Sequence, residues 1–229
     1  MKSEKLKVKS EKFNIQYSMN CVILAAGVFP TAKEPLKALR EADFVCCCDS
    51  AAKTLIEWGR EPDAIVGDGD SIDEEMRAKY GDILHQIDEQ EDNDLTKSTK
   101  FCISQGFTRI TYLGATGKRE DHTLGNISLI ARYRRELGIE PVMITDYGTF
   151  VTAQGRKTFK SFEGQQVSIF LMDNKEGELK SEGLKWNSYG YREWWQGTLN
   201  EALGESFTLD TEREYIVFQT HEKKEKSVF

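Results

Sequence analysis

From residue 21 to about residue 145, short apolar runs alternate with longer stretches in which apolar residues recur at helical spacing. The runs CVILAA, FVCCC, AIV, ILHQI, RITYL and VMIT predict strands over 21–26, 44–48, 64–66, 83–87, 109–113 and 142–145. The intervening pattern predicts helices over 33–40, 50–58, 74–80, 94–105 and 122–137. Such alternation is expected of a parallel sheet covered by helices, because parallel neighbours need a crossover between them. The texture changes after Pro141. From Tyr147 onward the runs are short, rich in Gly, Thr, Phe and Val, and punctuated by Gly155, Gly164, Gly177, Gly183 and Gly197. They predict strands over 149–153, 166–171, 206–209 and 215–219. The expected fold class is α/β plus all-β, with an α/β domain over 21–145 and an all-β domain over 146–222. The ends, 1–20 and 223–229, mix Lys with Glu and read as a flexible arm and a charged tail.

Composition narrows the class. The 229 residues suffice for one large domain or two small ones. With 39% hydrophobic and 30% charged residues, and no apolar run near the ~20 residues a membrane helix needs, the chain reads as soluble. Against 31 basic residues stand 38 acidic ones, a net charge of −7, which is a poor match to a nucleic-acid partner. Three of the five cysteines, Cys46, Cys47 and Cys48, are consecutive, where alternating side chains cannot bridge regularly. They read as small core residues of a reducing, cytoplasmic setting. His85, His122 and His221 are too scattered for a zinc cage.

Candidate chemistry lies where the apolar runs end, since ligands of parallel α/β sheets bind beyond the carboxyl ends of the strands. Asp49 follows FVCCC, Asp68 and Asp70 follow AIVG in GDGDS, and EQEDNDLTK follows ILHQI. Carboxylates so placed repel one another unless a cation intervenes, and hard oxygen donors suit Mg²⁺. Gly67 and Gly69 permit the turn that aims two aspartates at one ion, while Ser71 and Glu74 are spaced to cap the next helix. A plain acidic turn fits GDGDS equally well. The stretch LGATGKREDHTLGN follows ITYL and opens a helix. Its free backbone amides, with Lys118 and Arg119, suit a phosphate, and an ordinary strand-to-helix turn capped by Asp121 is the plainer alternative. Carboxylates at several strand ends together with a glycine turn and a basic pair point to metal-assisted chemistry on a phosphate ester.

In order, DSAA at Asp49, PDAIVGDGDS, QEDNDLTK, LGATGKREDH with GN soon after, and GLKWN resemble thiamine pyrophosphokinases across residues 22–218. That resemblance implies an α/β nucleotide-binding domain, a β-sandwich completing a thiamine pocket, and a homodimer with the thiamine site between subunits. It also implies Mg²⁺-dependent transfer of pyrophosphate from ATP to thiamine, releasing AMP. Carried over by position, Asp68, Asp70 and Asp94 are the expected catalytic, Mg²⁺-holding carboxylates. Asp49, Lys97, Gly114, Gly117, Lys118, Arg119, Asp121 and His122 are expected at ATP. Gln90, Asp94, Trp186, Thr198 and Asn200 are expected at thiamine, with Trp194 and Trp195 as further aromatic candidates. The chain departs from the family pattern at Ser50, Glu91, Asn93 and Lys118, the last standing where a glycine is usual. Two other readings are a binding protein that kept the fold without catalysis, and a sugar-phosphate nucleotidyltransferase. The second is prompted by VILAAG, but Val28, Phe29 and Pro30 replace the glycine and arginine that loop requires.

Overall fold

A computed structural model describes residues 19–70, 72–173 and 177–223. The predicted arm and tail, and Ser71 with its proposed cap, fall wholly or mostly outside the described residues. The helix after GDGDS is capped instead by Asp73, whose carboxylate accepts from Met76 N at 2.9 Å.

Six strands form the parallel half of the sheet: β1 (Cys21–Leu24), β2 (Phe44–Cys48), β3 (Ala64–Gly67), β4 (Leu84–Gln86), β5 (Arg109–Leu113) and β6 (Glu140–Ile144). Their spatial order is β6-β5-β1-β2-β3-β4. The chain thus runs outward from β1 in one direction and resumes beside it at β5, leaving a topological switch point between β1 and β5. Strand residues alternate between two apolar clusters. Cys21, Ile23, Cys46, Cys48, Ala64 and Val66 face one side, and Val22, Leu24, Val45, Cys47 and Ile65 the other. Both faces are covered, which is why these strands read as unbroken apolar runs. Helices α4 (Asp94–Ser104) and α5 (Glu120–Leu137) cover the first side with Leu95, Cys102, Ile130 and Tyr133. Helices α1 (Lys33–Arg40), α2 (Ala51–Trp58) and α3 (Glu74–Tyr80) cover the second with Leu39, Leu55 and Tyr80. The consecutive cysteines are accordingly core residues, and all five are free and buried.

At β7 (Gly148–Ala153) the sheet turns antiparallel without a break. It continues through β13 (Tyr215–Lys223), β9 (Gln165–Leu171) and β11 (Asn200–Glu201) to ten strands. A second sheet, ordered β10-β12-β8, is built from β8 (Lys157–Lys160), β10 (Lys180–Glu182) and β12 (Ser206–Asp210). Phe159 and Phe207 from the small sheet pack with Val167, Ile169, Tyr215 and Val217 from the large one, so the C-terminal half is a two-sheet sandwich. The expected α/β plus β-sandwich class is what the chain forms. Strands β8, β10 and β11 escape the sequence pattern: they are two to four residues long, too short to register an alternation. No helix among the described residues is long and apolar enough to cross a membrane.

Candidate active site

The switch point holds a cavity of about 380 Å³, lined by Ala25–Gly27, Cys48, Asn93–Leu95, Ala115, Thr116, Lys118, Arg119, His122, Thr123 and Asn126. Its walls are two strand-to-helix loops held against each other. Strand β1 ends at Leu24, two residues before the sequence predicts, because the chain then peels away to pair with the glycine-rich loop. Gly27 N donates to the Gly114 carbonyl at 2.7 Å, and Val28 N to that of Thr116 at 2.9 Å. The approach is so close that a Cβ on Gly27 would strike the Gly114 carbonyl oxygen and sit 2.5 Å from that of Thr116. The Lys118 ammonium donates to the Ala26 carbonyl at 2.8 Å, stitching the same two loops. An ammonium carries three donors, so this bond leaves capacity for an anion.

The third wall is the start of α4. Asn93 caps the helix, its Oδ1 accepting from Thr96 N at 3.0 Å and Thr96 Oγ1 at 2.8 Å. Thr96 Oγ1 lies 2.7 Å from the Tyr133 hydroxyl on α5. Asn93 also donates to Asn126 Oδ1 at 3.3 Å, while Asn126 donates to the Ala115 carbonyl at 2.8 Å. One chain of polar contacts therefore fixes α4, α5 and the glycine-rich loop around the cavity. Asp94 opens the helix at the cavity wall, with Lys97 Nζ 3.9 Å from its Oδ1. Burial raises the Asp94 carboxyl above its ordinary value, the charges of Asp68 and Asp49 raise it further, and Lys97 opposes them. The charges of Asp49 and Asp68, at the ends of β2 and β3, thus bear on Asp94 at the start of α4. Asp49 is buried at the end of β2 in the left-handed region (φ 34°), and a Cβ on Gly67 would come 2.8 Å from its own. Asp68 Oδ1 accepts from Asp70 N at 3.2 Å across the GDGDS turn, with Asp70 exposed. Burial lifts the Cys48 thiol well above its ordinary value, so it lines the cavity as a neutral group.

The donor chemistry fits Mg²⁺. Among the described residues no three His, Cys, Asp or Glu side chains are arranged as a ready cage. An ion that needs only one or two protein carboxylates and takes phosphate oxygens for the rest suits Asp94 and Asp68, whose charges act on one another.

Of the other expected residues, Arg119 and His122 line the cavity, and Gly114 supplies the carbonyl that anchors Gly27. Gly117 (φ 92°) turns the loop toward Val28. Asp121 lies off the cavity wall: its carboxylate accepts from Arg119 Nη2 at 2.6 Å and from Arg119 Nε at 3.1 Å. Nor does it cap α5, whose preceding residue is Arg119. Gln90 is exposed on the β4–α4 loop and donates to the Asp88 carbonyl at 3.2 Å. Lys97 is buried beneath Asp94. In the sandwich half, Asn200 is buried with its amide spent on the Trp186 backbone, accepting from Trp186 N at 3.2 Å and donating to its carbonyl at 2.8 Å. Thr198 Oγ1 donates to the Trp195 carbonyl at 2.7 Å, and Trp186 and Trp195 are exposed. Trp194 donates to the Leu171 carbonyl at 3.2 Å and meets Phe170 edge-on. These groups are not brought to the cavity: β11 stands six strands from β1, about 29 Å at the usual strand spacing.

Sequence reasoning missed Ala25–Gly27, Thr116, Thr123 and the roles of Asn93 and Asn126. The available signal for the first was position, since the loop after the first strand of a doubly wound sheet borders the switch point.

Comparison with known proteins agrees with this layout. A family model described as "Thiamin pyrophosphokinase, catalytic domain" matches residues 36–140, and one described as "Thiamin pyrophosphokinase, substrate-binding domain" matches residues 148–218. Thiamin pyrophosphokinase 1 of Caenorhabditis elegans is 32% identical over 107 residues, 44% of this chain and 42% of that protein. Thiamine pyrophosphokinase 1 of Oryza sativa is 29% identical over 143 residues, 56% of this chain and 53% of that protein. The matches thus span about half the length of these curated relatives. The solved thiamine pyrophosphokinase of Bacillus subtilis superposes with a TM-score of 0.71 at 21% identity, covering 88% of this chain and 99% of that one. That of Candida albicans gives 0.72 at 18% identity, covering 89% and 90%. With both halves matched in order by its two domains, this chain belongs to the thiamin pyrophosphokinase family.

Proposed function

We propose that the protein transfers a pyrophosphate group from ATP to the hydroxyl of thiamine, giving thiamine diphosphate and AMP. The observation that carries this reading is the switch-point cavity, walled by a glycine-rich loop with two cations and by a carboxylate that two others repel. In this reading residues 21–145 bind nucleotide and residues 146–222 bind thiamine. Lys118, Arg119 and His122 meet the ATP phosphates, with Gly114 and Gly117 shaping the loop that holds them. Lys97 neutralises charge beneath Asp94, Asp49 fixes the strand ends, and Asp121 orients Arg119 toward the nucleotide. Asp68, Asp70 and Asp94 hold Mg²⁺, which supplies charge neutralisation on the transferring phosphates. The chain's own contribution is alignment, with the thiamine oxygen held in line with the β-phosphorus and its proton accepted nearby. Asp94, at the cavity wall, is also placed to orient that hydroxyl.

Gln90, Trp186, Thr198 and Asn200 serve thiamine, a cation that an aromatic face and acidic surroundings suit. Asn200 does so by holding Trp186. Because Asn200 on β11, with the Trp186 and Thr198 that neighbour it, lies six strands from β1, the reading requires a homodimer in which one subunit's sandwich completes the other's cavity. The five unbridged thiols support a cytoplasmic setting.

The test is incubation with ATP, Mg²⁺ and thiamine, followed by chromatography. Equal, EDTA-sensitive yields of AMP and thiamine diphosphate are expected. Binding of both substrates without AMP would make the protein a sensor on this fold, and pyrophosphate release with a sugar phosphate would make it a nucleotidyltransferase.

A further inference from the structure

We propose that Asp146, outside the cavity and outside the transfer chemistry, is a positioning residue that sets the nucleotide wall from the joint between the two halves. It sits on the β6–β7 turn, where the sheet changes from parallel to antiparallel. Its carboxylate gathers donors from across the fold: Thr31 N to Oδ1 at 2.9 Å, Thr31 Oγ1 to Oδ2 at 2.6 Å, and Ala32 N to Oδ1 at 3.0 Å. Those donors end the loop whose beginning, Ala25–Gly27, walls the cavity. The beginning is tied to the glycine-rich loop through Gly27, Val28 and Lys118. The end is tied to Asp146. Ala32, the residue flanking α1, has no side-chain acceptor to offer the helix, so Asp146 supplies the anionic cap from the neighbouring turn.

The turn is itself held by the sandwich half. His221 on β13 donates its backbone N to the Tyr147 carbonyl at 3.1 Å and its ring Nε2 to the Thr145 carbonyl at 2.9 Å, while Thr145 N donates to the Gly148 carbonyl at 2.9 Å. Burial works to raise the Asp146 carboxyl. The donors of Thr31 and Ala32, with His221 nearby, outweigh it and hold the group below the usual carboxylate range, so it remains an anion at neutral pH. A strand of the thiamine half thus braces the turn whose carboxylate fixes the nucleotide loop.

The inference rests on the cavity being the ATP site, and calorimetric ATP binding tests that without turnover. Asp146→Ala is expected to raise both Kd and KM for ATP about tenfold, with kcat and the thiamine KM changed less than about twofold. Asp146→Asn, which keeps an oxygen for Ala32 and the Thr31 amide, should recover part of the loss. Thr31→Val, which keeps every charge and backbone donor, should shift ATP affinity about threefold in the same direction and decides the matter if Asp146→Ala does not fold. A lower melting temperature with unmoved ATP affinity in Asp146→Asn and Thr31→Val would overturn the proposal and leave Asp146 purely structural. If the wild-type protein binds no ATP, the cavity reading falls and takes this inference with it. Normal wild-type binding with equal binding by the variants removes this inference alone.

Discussion

A methyl group added at Gly27 should damage the nucleotide wall, whereas the same addition at Gly125 should strengthen the protein. Gly27 has no left-handed backbone to defend, so the effect of Gly27→Ala is steric. The new Cβ would overlap the Gly114 carbonyl oxygen and lie 2.5 Å from that of Thr116. Relief requires residues 25–28 to withdraw from 114–116, forfeiting the 2.7 Å and 2.9 Å hydrogen bonds that join them. Two such bonds cost about 2 kcal/mol, and residual overpacking adds about 1 kcal/mol or more. For a chain of this size that is a fall in melting temperature of roughly 6–12 °C. Gly125 lies exposed in α5 with nothing within 4 Å of its Cβ position, so Gly125→Ala gains about 0.5–1 kcal/mol of helix propensity. Thermal melts of the two variants beside the wild type, with calorimetric ATP binding, make the assay. ATP affinity should fall in the first and hold in the second. A Gly27→Ala protein melting within about 2 °C of wild type and binding ATP as well would refute the tight-wall reasoning.

Asp68→Asn and Asp70→Asn should each abolish AMP formation while leaving the melting curve close to wild type, since both residues sit in a strand-end turn; retained turnover in both would remove them from the metal site. Lys118→Gly cuts the stitch to Ala26 and deletes a cation, so it should weaken ATP binding more than thiamine binding; the reverse order would show the glycine-rich loop has been misassigned. Asp92 is held below the usual carboxylate range, chiefly by Lys100 with Arg132 adding to it, against burial. Because its pKa is depressed in the folded state, its stabilisation is present above about pH 4 and is lost as pH falls through the lowered value. Denaturant melts across that range should show Asp92→Asn with lower stability at neutral pH and a flatter acid limb than wild type.

The parallel half was legible because its physics is local. A strand buried on both faces must be apolar at every position, and the helices between must show one apolar face, so CVIL, FVCCC and AIVG declare themselves without a partner. Acids placed at the ends of those runs were legible for the same reason, once the sheet is known to be parallel. The short strands β8, β10 and β11 carry no pattern of their own and exist because longer neighbours offer them a ladder. Asn200 illustrates the limit at the site: its amide bonds the Trp186 backbone, fourteen residues back, from a strand only two residues long.

What the sequence determined by itself was the alternation of elements, the apolar core and the inventory of acids, glycines and cations, each of which depends on a residue and its near neighbours. Only the tertiary structure decided that β5 returns beside β1 to open the cavity there, that the loop after β1 walls it, and that Asp146 reaches Thr31 to fasten that loop. It also decided that the sandwich continues the main sheet and stands six strands away. These depend on which strand edges meet, and edge pairing is settled by burial of the whole apolar surface, a property no local window of the chain contains.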